Sequence, residues 1–230
     1  MSMEGINFDW LIEQAKNKYT QNKIKEIEEK YNLIKHKNKH FIIKIDQKYP
    51  LKIGLWKIWL NEYNAFESLD TYIELLRENE HTKLPQFPAR DDMVIVDLGA
   101  NEGYFALKVK EKIPKAKILC VEPNPSAFKT LKKNIKTNNL KNVILVNKAV
   151  TSKRGRISFE TLPGATTMGG LRIKRDKWFD KTIIKKIYVD SVTLNDLFKK
   201  YKLKHVDLLK LDIQGAEMAV LRSIKGILPS

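Results

Sequence analysis

A chain of 230 residues, 43% of them apolar and 30% charged, has enough material for one full domain and an appendage, and this composition excludes an intrinsically disordered protein. Its net charge of +16 is unevenly spread: residues 1–90 carry 15 Lys and Arg against 13 Asp and Glu, whereas residues 91–230 carry 28 against 14. The single cysteine, Cys120, excludes an internal disulfide; no apolar run reaches the roughly 18–20 residues that cross a bilayer; and the start MSMEGINFDW lacks the basic-then-apolar order of a signal peptide, so a cytoplasmic protein is expected.

Residues 9–37 are predicted helical, because Trp10, Leu11, Ala15, Tyr19, Ile24, Ile27, Tyr31 and Ile34 keep the 3–4 spacing of one apolar face. His40–Asp46 reads as a short strand. The stretch from Gly54 to Glu80 reads as one or two helices, with Leu55, Trp56, Ile58, Trp59, Phe66, Leu69, Tyr72 and Leu75 as core. Two prolines in KLPQFPARDD mark a linker, and a boundary falls near Arg90. Residues 1–90 are thus expected to be a mainly helical segment, and residues 91–230 a separate domain.

Past that boundary short apolar runs alternate with helical ones, the pattern of a parallel sheet covered by helices. Strands are expected at Met93–Leu98, Lys117–Val121 and Val143–Asn147, with a helix from Gly103 to Ile113 after the first. Asn124 can cap the next helix, and Pro125 fits its first turn. Residues 151–190 are expected to be irregular, with LPGATTMGG the most flexible part and a strand at Ile183–Val189. Thr193 can cap a further helix, the strand VDLLKLD ends at Asp212, and a last helix covers Gly215–Ser223.

Ligands of an open parallel sheet bind outside the carboxyl ends of its strands. Four polar stretches fall there: Asp97 to Gly103, Glu122 to Asn124, Asn147 to Ala149, and Asp212 to Gly215. A dinucleotide site would show G-x-G-x-x-G with the pyrophosphate at the helix N-terminus. This chain has G-x-x-x-G, Gly99 to Gly103, with Asp97 before it. An acid there repels a pyrophosphate and suits a ligand carrying ammonium and sulfonium charge, which favours S-adenosylmethionine over NAD. Glu122, at the end of the next strand, can accept both ribose hydroxyls. A tight turn without a ligand is the alternative for the glycine loop alone.

The stretches VIVDLGANEGYFAL, CVEPNPSAFKTLKKNIKTNN, VILVNKAV, VDSVTLNDL and LLKLDIQGAE, in that order, resemble the signatures of class I S-adenosylmethionine-dependent methyltransferases, and within them the FkbM type. Those enzymes mostly methylate hydroxyls of sugars, polyketides and other small molecules. The resemblance covers residues 93–223 and implies an α/β Rossmann-like fold. It implies that Gly99, Ala100, Asn101 and Gly103 cradle the methionine and ribose portion, with Asp97 holding the loop or the amino group. Glu122 would take the ribose, Pro123 and Asn124 would flank the adenine, Asn147, Lys148 and Ala149 would line its other side, and Asp212 would face donor and acceptor.

The sequence departs from that pattern twice. Gln214 stands where the family commonly has a glutamate. The implied fold has seven strands, yet only four are predicted before Ser230, so the domain is expected to lack its last strands. Strand four would then be an apolar edge to be covered by residues 1–90, a second copy or a partner. Asp212 is the candidate to orient the acceptor or take its proton, with Glu217 and His205 behind it. Glu217 also reads as a first-turn helix carboxylate, and His205 as a surface residue. His36, His40, His81 and His205 suggest no metal site.

LPGATTMGGLRIKRDKW is the expected acceptor-binding region, where Arg172, Lys174 and Arg175 can hold a phosphate or carboxylate. The dense basic run Lys153–Lys186 equally suits a solvated face. Three functions follow: O-methylation of a small molecule or glycan, methylation of RNA through the basic half, or a non-catalytic cofactor-fold module needing a partner. The absence of an N-P-P-like signature after strand four counts against the second.

Overall fold

The computed structural model describes residues 6–34, 43–76, 90–162, 165–170, 184–213 and 215–224. Its centre is a parallel sheet of β3 (Val94–Leu98), β4 (Lys117–Val121), β5 (Val143–Val146) and β10 (Leu208–Leu211), in the order β10-β3-β4-β5. Helices α4 (Tyr104–Lys112) and α5 (Pro125–Thr137) link the first three strands. Alternation along β3 divides the core in two. Ile95 packs with Phe105, Val109, Ile118 and Leu131, whereas Val96 and Leu98 pack with Leu119, Val121, Leu194 and Val220. The second cluster draws on α6 (Leu194–Lys200) and α7 (Glu217–Ser223), so both faces of the sheet carry helices, as in a Rossmann-like α/β fold.

Local chemistry fixes these elements where the sequence places them. The Asn124 side chain accepts from Ser126 N–H, Pro125 follows, and α5 begins. Thr193 and Asp196 form a reciprocal capping box at α6. Among the described residues β10 pairs only with β3. Its four residues are half-buried, while all five of β3 are buried.

Three expectations are corrected. First, the helix expected over 9–37 is two helices, α1 (Phe8–Gln14) and α2 (Lys18–Ile34), with 35–37 outside the described residues. Between them Ala15 bridges to Ile53, and Asn17 caps α2 by accepting from Thr20 N–H at 2.8 Å. Second, residues 43–46 form no strand, and the helix expected from Gly54 is preceded by a hairpin of β1 (Leu51–Ile53) and β2 (Trp56–Ile58). Gly54 (φ +56°) turns the chain, and Leu55, expected in the core, sits exposed at the tip. The helix itself, α3 (Ala65–Leu76), starts later. Residues 77–89, with the expected linker, lie outside the described residues.

The third correction concerns the described part of residues 151–190, which holds strands instead of irregular chain; residues 163–164 and 171–183 lie outside the described residues. Here β7 (Gly155–Leu162) pairs antiparallel with β8 (Ala165–Gly170) and with β9 (Lys185–Val192), and β6 (Ala149–Val150) completes a second sheet. The strand expected at Ile183–Val189 is β9, shifted towards the carboxyl end. The alternation of Ile157, Phe159 and Thr161 with Arg156, Ser158 and Glu160 carried that signal.

The N-terminal segment docks on α4 and α5. Tyr104 and Leu107 of α4 belong to its hydrophobic cluster with Leu11, Ile27, Leu69 and Tyr72. Asn134 of α5 accepts from Trp59 N–H at 2.6 Å and donates to the Trp59 and Glu102 carbonyls. Helix α4 is therefore buried from Tyr104 to Lys110, and burial lowers the pKa of Lys110, whose ammonium is met by the Pro114 and Ala116 carbonyls. Among the described residues no helix is long and apolar enough to cross a membrane.

Candidate functional site

The carboxyl ends of β3, β4 and β10 bring Asp97, Glu122 and Asp212 to one edge of the sheet. The connection from β3 to α4 is tightly constrained. Gly99 (φ +80°), Asn101 (φ 45°) and Gly103 (φ +87°) all take left-handed conformations, which glycine enters freely and asparagine tolerates. A Cβ on Gly99 would overlap the Asp212 carbonyl oxygen, and one on Gly103 would lie 2.5 Å from Leu131 Cδ1. The glycines thus let this loop press against β10 on one side and α5 on the other.

Four N–H groups of the loop are spent inside the protein. Gly99 and Ala100 both donate to the Val121 carbonyl, at 2.9 and 3.0 Å, and Gly103 donates to the Ala100 carbonyl at 2.9 Å. Asn101 N–H donates to Glu122 Oε2 at 2.9 Å. A loop built to hold a pyrophosphate needs such donors free; here four are taken, and carboxylates stand beside them. The side-chain Oδ1 of Asn101 is buried without a hydrogen-bond partner, an acceptor left over in the loop.

Glu122 is buried, and its second oxygen accepts from Asn124 N–H at 2.7 Å. Burial pushes its carboxyl up to about 7 against the pull of those two N–H groups; Asp97 adds to the rise and Lys210 opposes it. Each oxygen keeps a lone pair beyond its backbone bond, so the carboxylate can accept two further hydrogen bonds. Asn147 donates to the Glu122 and Pro123 carbonyls, at 2.8 and 3.2 Å, and so staples the same turn. Lys148 pairs with Asp190 at 3.3 Å. Ala149 is buried with Phe159 and Val189 in the second sheet.

Sequence reasoning missed Lys210. Parallel register sets it directly opposite Asp97. Its ammonium lies 3.1 Å from Asp97 Oδ1, 3.4 Å from the Gly99 carbonyl and 3.8 Å from Asp212 Oδ2, above the Phe105 ring. Burial works against its charge, but Asp97 and then Asp212 outweigh that and raise its pKa. Asp97, whose side chain is 0% exposed, thus has a resident cation; Asp212, at 59%, faces solvent. The only advance signal was the i, i+2 spacing of Lys210 and Asp212, which puts both on one face of a strand.

The other candidates fall elsewhere. His205 lies beyond the opposite end of β10, 3.5 Å from Asp207. Glu217 accepts from Ile213 and Gly215 N–H, at 3.1 and 2.8 Å, and holds the turn after Asp212. Cys120 is buried beneath the site, and burial pushes its thiol well up. Gln214, Arg172, Lys174, Arg175, His36, His40 and His81 lie outside the described residues.

Three carboxylates and one ammonium gather beside a glycine loop at the carboxyl edge of a Rossmann-like sheet, a charge balance that suits a cationic nucleoside better than a pyrophosphate. Residues 97–229 match the Methyltransferase FkbM domain, and the chain belongs to the FkbM methyltransferase family, whose methyl donor is S-adenosylmethionine. The chain is 31% identical over 156 residues to methyltransferase sdnD of Sordaria araneosa, covering 56% of this chain and 60% of that one. It is 33% identical over 150 residues to Methyltransferase 1 of Beauveria bassiana, covering 60% of each. With the 2-O-methyltransferase NoeI of Sinorhizobium fredii it shares 28% over 161 residues, 64% of each. The chain thus spans about three fifths of the length of the first two curated relatives it matches.

Proposed function

We propose that this chain supplies the donor site of an O-methyltransferase that acts on a hydroxyl of a small molecule or glycan. The observation that carries the proposal is the contrast between its acids: Asp97 and Glu122 are buried, while Asp212, at the end of β10, turns a solvent-facing carboxylate outward beside the same loop. Two relatives lend the acceptor class. One is named a 2-O-methyltransferase, and another, from Haloferax volcanii, is named the hexuronic acid methyltransferase AglP.

Bound S-adenosylmethionine supplies an already activated methyl group, transferred as its carbon–sulfur bond breaks and a carbon–oxygen bond forms. The protein has then to hold, orient and deprotonate. Glu122 would accept the two ribose hydroxyls with the lone pairs its backbone bonds leave. Asn124 and Pro123 would flank the base, on a turn that Asn147 keeps closed. The carboxylates at this edge would favour the net positive donor over its neutral product. Asp212 would accept the hydrogen bond of the acceptor hydroxyl and take its proton as the oxygen loses it.

The test is methyl transfer from labelled donor to oligosaccharides with and without uronic acid, by the wild-type chain and by Asp212→Ala. Turnover is expected to fall by about 10²–10⁴ in the variant, with binding of S-adenosylhomocysteine retained. Undiminished turnover by a variant that still binds would overturn the role of Asp212. No binding of donor or product by the folded wild-type chain would overturn the enzyme.

A further inference from the structure

Among the described residues Lys210 is the one cation set between the acids of this edge, its side chain 14% exposed, and the proposed chemistry leaves it without a task. Its contacts come from three segments: Asp97 stands one residue before the end of β3, the Gly99 carbonyl opens the loop, and Asp212 follows β10. The approach is forced by backbone geometry as well. Asp212 N–H donates to the Leu98 carbonyl at 3.0 Å, and the Asp212 carbonyl fills the space where a Gly99 side chain would stand. Register fixes the rest, since Lys210 and Asp97 are direct partners in parallel strands.

We propose that Lys210 is a positioning residue of the donor site, pinning the end of β10 to the base of the loop through Asp97, the Gly99 carbonyl and Asp212 without touching the acceptor. The inference rests on the functional assignment above and deepens it. A tether at this point fixes the separation between the Asp212 side, which meets the acceptor, and the Glu122 side, which meets the donor. It also sets the local charge. The charged or titratable groups facing Glu122 and its neighbours are Asp97 from β3, Lys210 from β10, Asp212 beyond it, and the Cys120 thiol from β4. Of the groups acting on Glu122 itself only Lys210 is positive; Lys110 of α4 faces Cys120 and is met by the Pro114 and Ala116 carbonyls. Without it the Asp97 charge acts on Glu122 uncompensated, and Glu122 needs a higher pH to ionise.

The test is the pH dependence of S-adenosylhomocysteine binding, followed by calorimetry from pH 5.5 to 9 with wild type, K210M, K210R and the double variant D97N/K210M. The wild-type chain is expected to bind more tightly as pH rises through about 7, the value to which burial brings Glu122. K210M is expected to move that limb up by about one pH unit, weakening binding about fivefold at pH 7 and approaching tenfold below it. K210R should restore most of the loss. The double variant, which removes Asp97 and Lys210 together, should return the limb towards wild type and remains informative if K210M does not fold.

A K210M limb coinciding with wild type would overturn the inference alone, as would a double variant displaced as far as the single. Should K210M not fold, a double-variant limb displaced by a full unit overturns it. If the folded wild-type chain binds no S-adenosylhomocysteine, the functional assignment and this inference fall together.

Discussion

Asp97 and Asp212 lie at the carboxyl ends of neighbouring parallel strands and share the same ammonium, 3.1 and 3.8 Å from it, yet one is sealed and the other open. The difference lies in what surrounds each strand. β3 is flanked by β4 and β10, and Asp97 belongs to the interior, where a charge is tolerable only with a partner. β10 has one neighbour among the described residues, and the turn that follows it leaves the Asp212 carboxylate in water. Identical side chains thus take different work: the first shapes the site, and the second is free to meet a ligand.

The largest effect should come from the glycines of the two turns. Gly99→Ala puts a side chain against the Asp212 carbonyl at a left-handed residue and should cost about 4 kcal/mol in urea unfolding, with loss of S-adenosylhomocysteine binding. Gly215 is also left-handed (φ +103°) but has open space around it, so Gly215→Ala should cost only about 1 kcal/mol, from backbone strain alone. Equal costs would erase the distinction between a packed turn and an open one.

Glu122 gives the next effect, through pH. Its carboxyl is raised from 4.5 to about 7, so the native state holds the proton more tightly than the unfolded chain does. Its contribution to stability is therefore fully present below about 4.5, is lost as pH rises towards 7, and is flat above, about 3 kcal/mol in all. Glu122→Gln should abolish that part of the slope and be the more stable protein at pH 8, while losing affinity for the donor. Ionising Glu122 on binding should also release a proton near pH 6.5, which calorimetry in buffers of different ionisation enthalpy reads directly. No release there would mean that Glu122 does not meet the ribose.

The smallest stability effect belongs to Asp212. Asp212→Asn should change unfolding free energy by less than about 0.5 kcal/mol, because the carboxylate is exposed and its contact with Lys210 is the longer one. Asp97→Asn leaves Lys210 buried without its nearest counter-charge and should cost about 3 kcal/mol or more. Comparable losses in the two variants would show that Asp212 also serves the fold.

What could be read from sequence was what is local. The ends of β4 match the expected strand, and Asn124, Pro125 and Thr193 act at helix starts as their residue types dictate, because a cap is satisfied within three residues. The Gly99 loop and Glu122 were legible for a related reason: parallel strands bring their carboxyl ends to one edge whatever else the chain does. Reading failed where two local patterns fit equally well. Leu55, Trp56, Ile58 and Trp59 satisfy helical spacing, but Gly54 turns the chain, and pairing Ile53 with Trp56 builds a hairpin. The strand β7 was missed although its alternation was present, because nothing local names its partner β9.

The sequence by itself therefore determined the family, the order of the parallel strands' elements and the acids at their ends. Only the tertiary structure decided which acid is sealed and which is open, and that Lys210 stands between them. That decision rests on strand register, which joins residues distant along the chain; no periodicity within either strand encodes it.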